Sequence, residues 1–252
     1  MGRPGIGVSL RRFLVEPAAL CEGEVALPPE EAAHARKVLR LTPGAEVELI
    51  DGQGRRARGV LTRLDKSGGA CRVETVEHAA PPAPRLVLCP GLLKSPAMDL
   101  LAAKLTELAV DQVRPMLTQR AVPKEGGGSS KRERWQRLAG QALKQCGAAR
   151  APEFVDPAPL PEVLAAVPPG VARLLLYEDE ERASLAQALP GLAGAGEIWA
   201  LVGPEGGFTS QEAARAVAAG FVSCRLPHTI LRAETASLAL ASVIRFALQP
   251  PC

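Results

Sequence analysis

The chain is predicted to be an α/β protein in two parts, a small β-barrel or sandwich followed by a larger domain built on a parallel sheet. Three observations predict this. Up to about residue 80 the chain reads as short strands of alternating polarity separated by glycine turns. Residues 79–85, AAPPAPR, form a stiff proline-rich linker, which sets the expected domains at 1–80 and 81–252. Beyond the linker, apolar strand-like runs alternate with helical patterns, as parallel sheets require.

In the first part, residues 47–50, 58–64 and 70–77 alternate roughly, with turns at Asp51-Gly52-Gln53-Gly54 and Ser67-Gly68-Gly69. In the second, strands are expected at 86–89, 113–117, 174–177, 198–202 and 222–226. The first helix of this part has Ser95 as its cap, Pro96 at its first position, and one apolar face of Met98, Leu101, Leu105 and Leu108. The next runs from about 131 to 146, opened by a capping box of Ser130 and Glu133 and closed by Gly147. On it Trp135, Leu138, Ala139, Ala142, Leu143 and Cys146 recur at helical spacing, which makes the tryptophan a core residue rather than a platform for base stacking. A last helix, 234–248, has Arg245 as its only interior charge and must be buried on several sides, in the core or against a second subunit.

Composition bounds the classes. At 252 residues and 47% hydrophobic, the chain can bury one sizeable core or two smaller ones. Its six cysteines show neither C-x-x-C nor zinc-type spacing, so a reduced, cytoplasmic protein without a metal is the expectation. The N-terminal residues lack the apolar stretch of a signal peptide, and the longest uncharged helical run, 235–244, is too short to span a bilayer. No membrane association is expected.

The net charge of +3 hides an asymmetry: residues 81–150 carry 12 basic against 5 acidic side chains, whereas 151–252 carry 6 against 11. The basic middle third, around Arg114, Arg120, Lys124, Lys131 and Arg132, suits a phosphate-contacting surface, although a solvated helix face has the same signature. Aromatic residues number only eight, too few to read many bases by stacking.

The most specific segments lie near the C-terminus. The run Ile198-Trp199-Ala200-Leu201-Val202 leads into Gly203-Pro204-Glu205-Gly206-Gly207, and Thr209 and Glu212 then have capping-box spacing with Gly220 as the stop. Strand, glycine turn and capped helix expose main-chain groups at a strand's C-terminal end, where α/β sheets bind ligands. Neither a P-loop nor a dinucleotide fingerprint is present. A ligand held by main-chain groups and small side chains, of the S-adenosylmethionine kind, fits better than a triphosphate or dinucleotide.

With Ile230-Leu231-Arg232-Ala233-Glu234-Thr235-Ala236 following, the chain resembles the RsmE-type 16S rRNA uridine-N3 methyltransferases of the SPOUT class, whose paired marks are GPEGG[FL]-[ST]-x-x-E and I-L-R-x-E-T-A. The likeness extends to His34-Ala35-Arg36-Lys37-Val38-Leu39-Arg40, to Gly44 with Asp51-Gly52, to Lys104-Leu105-Thr106-Glu107-Leu108 and to Gln145-Cys146-Gly147. Three positions depart: Ala109 and Pro227 stand where glycine is usual, and Ala148 where an arginine is common, so that Arg150 would have to take over that role.

The resemblance implies a PUA-like β domain, then a SPOUT-type parallel sheet with a C-terminal trefoil knot, a homodimer, and transfer of a methyl group from S-adenosylmethionine to N3 of a 16S rRNA uridine near the decoding centre. On that reading Leu176, Val202, Gly203, Pro204, Gly206, Leu226, Ile230 and Leu231 hold the cofactor. Arg232 stabilises the developing uracil anion, and Glu234 or Glu205 accepts the proton or, alternatively, orients Arg232. Arg36, Arg40, Arg114, Arg120, Lys124, Lys131, Arg132 and Arg150 contact RNA, and Lys104 with Glu107 is a structural ion pair. Two alternatives remain open: a SPOUT enzyme directed to a ribose 2′-oxygen, and an RNA-binding protein that keeps the pocket without turnover.

Overall fold

A computed structural model describes residues 10–121, 128–226 and 230–248. The chain forms two compact units, Met1–Ala80 with Leu143–Arg150, and Pro81–Ala142 with Ala151–Cys252. A segment distant in sequence, 143–150, thus belongs with the N-terminal unit, which a single cut along the chain does not provide for.

In the first unit the strands are β1 (Arg11–Leu14), β2 (Gly23–Leu27), β3 (Glu46–Ile50), β4 (Arg55–Leu64) and β5 (Gly69–His78), with helix α1 (Pro29–Lys37) between β2 and β3. They form one sheet in the order β1-β3-β4-β5-β2. The pairs are antiparallel except β1 with β3. Alternation along β3 and β4 sends Val47, Leu49, Ala57 and Leu61 inward, where they pack with Phe13, Val25 and Val73. The β3–β4 turn is organised by the buried Asp51 carboxylate, which accepts from the Gln53 N–H (2.7 Å), the Arg55 N–H (2.9 Å) and the Arg55 guanidinium. Residues 143–150 join this unit through Lys144, paired with the buried Glu31 at 2.6 Å, and through the Ala149 carbonyl, which accepts from the Gly54 N–H.

The second unit contains β6 (Arg85–Pro90), α2 (Ser95–Glu107), β7 (Gln112–Val113), β8 (Met116–Leu117), most of α3 (Gly128–Cys146), β9 (Glu153–Phe154), β10 (Ala158–Pro159), α4 (Leu160–Ala165), β11 (Ala172–Leu176), α5 (Leu185–Ala188), β12 (Glu197–Val202), α6 (Ser210–Ala218), β13 (Val222–Cys224) and α7 (Ala233–Leu248). Six strands form a parallel sheet in the order β13-β11-β12-β6-β7-β9, and β10 with β8 forms a separate parallel pair. Alternate residues of β12 feed two cores. Ile198, Ala200 and Val202 pack with residues of α2 and α7 on one face, whereas Trp199 and Leu201 pack with those of α4 and α6 on the other. Burial on both faces is why β12 is apolar from Ile198 to Val202.

Several local expectations change. The strand expected over 113–117 is two, because Pro115 has no N–H to donate; Val113 pairs in the large sheet and Met116 in the small one. Helix α3 begins at Gly128, which puts Ser130 inside the helix rather than at its cap. Ser95 is likewise the first helical residue of α2, whose cap position is Lys94 with no side-chain hydrogen bond. Trp135 is 3% exposed and meets Phe154 at a ring distance of 5.9 Å, a core residue. Ala109 adopts φ +53°, a left-handed conformation that favours glycine, which accounts for the usual residue there.

Arg245, the single interior charge of α7, is buried and pairs with Asp111. Its guanidinium also donates to the carbonyls of Pro84 and Ala109, and Asp111 accepts from the Leu86 N–H at 2.8 Å, so that one ion pair ties α7 to the start of β6 and the end of α2. The exposed Lys104–Glu107 pair closes at 2.8 Å within α2. Among the described residues no helix is long and apolar enough to cross a membrane, and the five described cysteines form no disulfide.

Candidate active site

The C-terminal ends of β11 and β12 and the chain after β13 enclose a cavity of about 530 Å³. The first wall is the loop after β12. The Val202 carbonyl accepts from the Gly91 N–H at 2.7 Å, and the Gly207 N–H then closes a turn on the Pro204 carbonyl at 2.9 Å. Gly207 has φ +70°, and a Cβ there would lie 1.6 Å from Oε1 of Glu178, so the glycine leaves room for that carboxylate at the cavity wall. Gly91 is bare for a harder reason: its Cβ would sit 2.4 Å from the backbone nitrogen of Pro204.

The loop is then fixed to α6. The Thr209 hydroxyl accepts from the Glu212 N–H (3.2 Å) while the Glu212 carboxylate accepts from the Thr209 N–H (3.0 Å), a complete capping box. The other carboxylate oxygen of the buried Glu212 takes the Gln119 N–H at 2.8 Å, and Arg120 donates to the Gly206 carbonyl at 2.9 Å.

The second wall follows β13. Arg225 is held through its backbone, its N–H on Ala183 (3.0 Å) and its carbonyl on Leu185 (2.8 Å). Leu226 and Leu231 are half-buried, and Ile230 is 91% exposed. Pro227, the departure from the family pattern, lies outside the described residues. The base of α7 completes this wall with Ala233 and Ala236. The third contribution comes from Leu176, Tyr177 and Glu178 at the end of β11. Partial burial, together with the hydrogen bond to Asp179, holds the Tyr177 phenol above its ordinary pKa, so it is a neutral hydroxyl at physiological pH.

Of the residues expected to hold a cofactor, Leu176, Val202, Gly203, Pro204, Leu226, Ile230 and Leu231 line this one cavity. Gly206 is not among the lining residues and packs on Arg120; Gly207 takes the lining position. Tyr177, Glu178 and Arg225 line it too, and no motif singled them out. Glu205 is exposed at the rim, accepting from the Lys94 N–H at 3.4 Å. Arg232 and Glu234 flank the lining residue Ala233 without lining the cavity themselves, Arg232 exposed and Glu234 half-buried.

The residues expected to contact RNA fall into different settings. Arg40, Arg120 and Arg132 are exposed, the last paired with Asp156 at 3.2 Å; Arg36 is half-buried, and Lys124 lies outside the described residues. Lys131 is partly exposed on α3. Arg114 is half-buried with its guanidinium 5.3 Å from the Trp199 ring centre, and Arg150 is half-buried over Gly54, donating to the Ala79 carbonyl. No group of three or more His, Cys, Asp or Glu placed to hold a metal occurs among the described residues.

Comparison with known proteins gives a consistent answer. The family model described as RNA methyltransferase domain matches residues 81–245, and that described as RNA methyltransferase PUA domain matches residues 27–74. Ribosomal RNA small subunit methyltransferase E of Mycobacterium bovis is 32% identical over 221 residues, covering 85% of this chain and 83% of that protein. The protein of the same name from Synechocystis is 32% identical over 235 residues, covering 92% and 76%. The crystal structure of ribosomal RNA small subunit methyltransferase E from Neisseria gonorrhoeae bound to S-adenosyl methionine superposes with a TM-score of 0.86 at 27% identity, covering 95% of this chain and 98% of that one.

Proposed function

The chain belongs to the RNA methyltransferase family that contains ribosomal RNA small subunit methyltransferase E, S-adenosylmethionine-dependent enzymes of small-subunit rRNA, and we propose that it methylates N3 of a uridine near the decoding centre. The observation that carries this reading is the cavity at the strand ends. Its described lining is main chain, small and apolar residues, one phenol (Tyr177), two carboxylates (Glu178, Glu205) and one cation (Arg225). A polyphosphate would meet repulsion there. An adenosine with a cationic tail fits, and the bare Cα of Gly207 leaves the Glu178 carboxylate room to face it.

When bound there, S-adenosylmethionine supplies an electrophilic methyl group. The protein's residues must expose the uracil, remove the N3 proton and hold N3 in line with that methyl. Arg232, exposed beside the cavity and permanently charged, is assigned to the negative charge that develops on the uracil oxygens. Glu205 at the rim or Glu234 in the first turn of α7 takes the proton; the one that does not helps orient Arg232.

A homodimer, a cytoplasmic location and a trefoil knot belong to the same proposal. The chain leaves β13 at one edge of the sheet and returns in α7 to pack on β6 and β12, the kind of crossing a knot needs. The outer face of α7, with Phe246 77% exposed, supports a second copy there.

The test joins calorimetric binding of S-adenosylmethionine with methyl transfer to small ribosomal subunits that lack the modification, followed by mass analysis of the nucleoside. 3-Methyluridine is the expected product. A 2′-O-methylated nucleoside, or binding with no transfer, would replace this reading with one of its alternatives. Arg232→Ala is expected to keep cofactor affinity and lose roughly 10²–10³ in kcat; normal transfer by that variant removes the assignment.

A further inference from the structure

The lining of the cavity is divided by burial. Leu176, Val202, Ala233 and Ala236 are buried and apolar, whereas its three charged residues, Glu178, Glu205 and Arg225, are all exposed. Two of these charges come from neighbouring strands. β11 and β13 run parallel with Leu176 opposite Cys224, and the next residue, Tyr177, donates its N–H to the Cys224 carbonyl at 2.9 Å. Tyr177 and Arg225 therefore leave the sheet about one strand spacing apart, roughly 5 Å, and Glu178 follows at once. Opposite charges so close could pair. Yet neither the Glu178 nor the Arg225 side chain makes a hydrogen bond or an ion pair among the described residues, and the Glu178 carboxylate lies over the bare Cα of Gly207 instead.

We propose that these two side chains read the amino-acid end of S-adenosylmethionine, Glu178 taking its ammonium and Arg225 its carboxylate. This deepens the cofactor assignment made above and rests on it. The adenosine is uncharged and suits the buried, apolar and main-chain part of the lining. The tail carries both of its charges on one carbon, so a site that accepts the ammonium must accept the carboxylate alongside it. Two carboxylates alone would repel that group. Arg225 is the one cation of the described lining, and its planar fork of donors matches a carboxylate.

Glu178 is chosen over Glu205 because Glu205 already accepts from the Lys94 N–H at 3.4 Å, whereas Glu178 accepts from no donor among the described residues. The ammonium is chosen over the sulfonium for a related reason. An ammonium brings three N–H donors to an acceptor that has none, and a sulfonium brings only charge.

The test is calorimetry on the full-length protein with adenosine ligands that differ by one group. S-adenosylhomocysteine keeps the tail and loses the sulfonium charge; decarboxylated S-adenosylmethionine keeps both cations and loses the carboxylate; 5′-methylthioadenosine has no tail. Glu178→Gln is expected to weaken S-adenosylmethionine, S-adenosylhomocysteine and the decarboxylated ligand alike, by about fivefold, a value set by the exposure of the side chain. Arg225→Met is expected to weaken S-adenosylmethionine and S-adenosylhomocysteine by about as much and to leave the decarboxylated ligand unchanged. Neither variant should alter the affinity for 5′-methylthioadenosine, nor, since both side chains are exposed, the melting temperature. The proposal requires both patterns. A loss at Glu178→Gln for S-adenosylmethionine but not for S-adenosylhomocysteine places the sulfonium there and overturns it. So does an Arg225→Met variant that discriminates the ligands as the wild type does, or a loss that extends equally to 5′-methylthioadenosine. The wild-type protein separates the two levels of failure: if it binds S-adenosylmethionine and both variants match it, the tail assignment alone falls; if it binds none, the cofactor reading falls and takes this inference with it.

Discussion

The two loops that wall the cavity are built on different principles. The loop at 203–209 is complete before any ligand arrives: it is braced by Gly91, closed by its own turn, capped on α6 and tied to the 119–120 segment by two hydrogen bonds. On the other wall Arg225 is held through its backbone and the Arg232 carbonyl accepts from the Ala236 N–H, while Ile230 stands almost fully in solvent. A preformed wall lowers the cost of binding by losing little freedom. A wall with an exposed isoleucine gains its burial only when something covers it. The first loop therefore shapes the site, and Ile230 is the part of the other wall whose burial depends on occupancy.

The strongest way to break this contrast is Gly91→Ala. The added methyl would meet the backbone of Pro204, which cannot swing aside as a side chain does. Overpacking of this kind costs about 1–3 kcal/mol, and because the strain falls on the first loop, melting temperature and cofactor affinity should drop together. An alanine that melts and binds as the wild type would show that the loop is not rigid. Thr209→Ala is a smaller version: it removes half of the capping box and is expected to cost about 1 kcal/mol in denaturant unfolding, with a lesser effect on affinity.

How far these loops were legible depends on the range of the interaction. The capping box of Thr209 and Glu212 is local in sequence, and spacing alone located it. The family resemblance put seven lining residues on one cavity, yet it named Gly206 where Gly207 lines, because the difference turns on which glycine faces Glu178, a residue in the turn after β11. Tyr177, Glu178 and Arg225 enter the site because β11 lies between β12 and β13, an order no motif records. The same limit hid β1, whose partner β3 is some 36 residues away, and residues 143–150, which leave the helix pattern of one unit to complete the other. Pro115 was readable, and its missing N–H is enough to explain the split strand.

Ile230→Ser sharpens the other side of the comparison. Since the side chain is exposed in the free protein, its loss should leave the melting temperature unchanged. Burial of an isoleucine by ligand contributes about 1.5 kcal/mol or more, so the calorimetric affinity for S-adenosylmethionine should fall about tenfold. An unchanged affinity with altered sedimentation would mean that a second copy of the chain covers Ile230 instead.

The smallest effect is kinetic and compares two thiols. Cys89 lies on β6 just before Gly91 and the first loop, and Cys224 ends β13 just before the second. Burial pushes both up to about 12, partly offset by Arg114 at Cys89 and reinforced by Glu180 at Cys224. At pH 8 each is thiolate in only about one part in 10⁴, and that fraction rises about tenfold per pH unit until the pKa is reached. Alkylation of both should therefore be slow, accelerate about tenfold from pH 8 to pH 9, and lag far behind the exposed Cys21 and Cys146. With their ionisation so similar, any difference in rate between the two reports local opening. Cys89 sits on a strand paired on both sides, whereas Cys224 sits on a three-residue edge strand paired only with β11. Edge strands open at lower free energy than central ones, so Cys224 should react first, and bound S-adenosylmethionine should slow Cys224 more than Cys89. Equal rates, or equal protection, would mean that the strand ends beneath the two walls open alike.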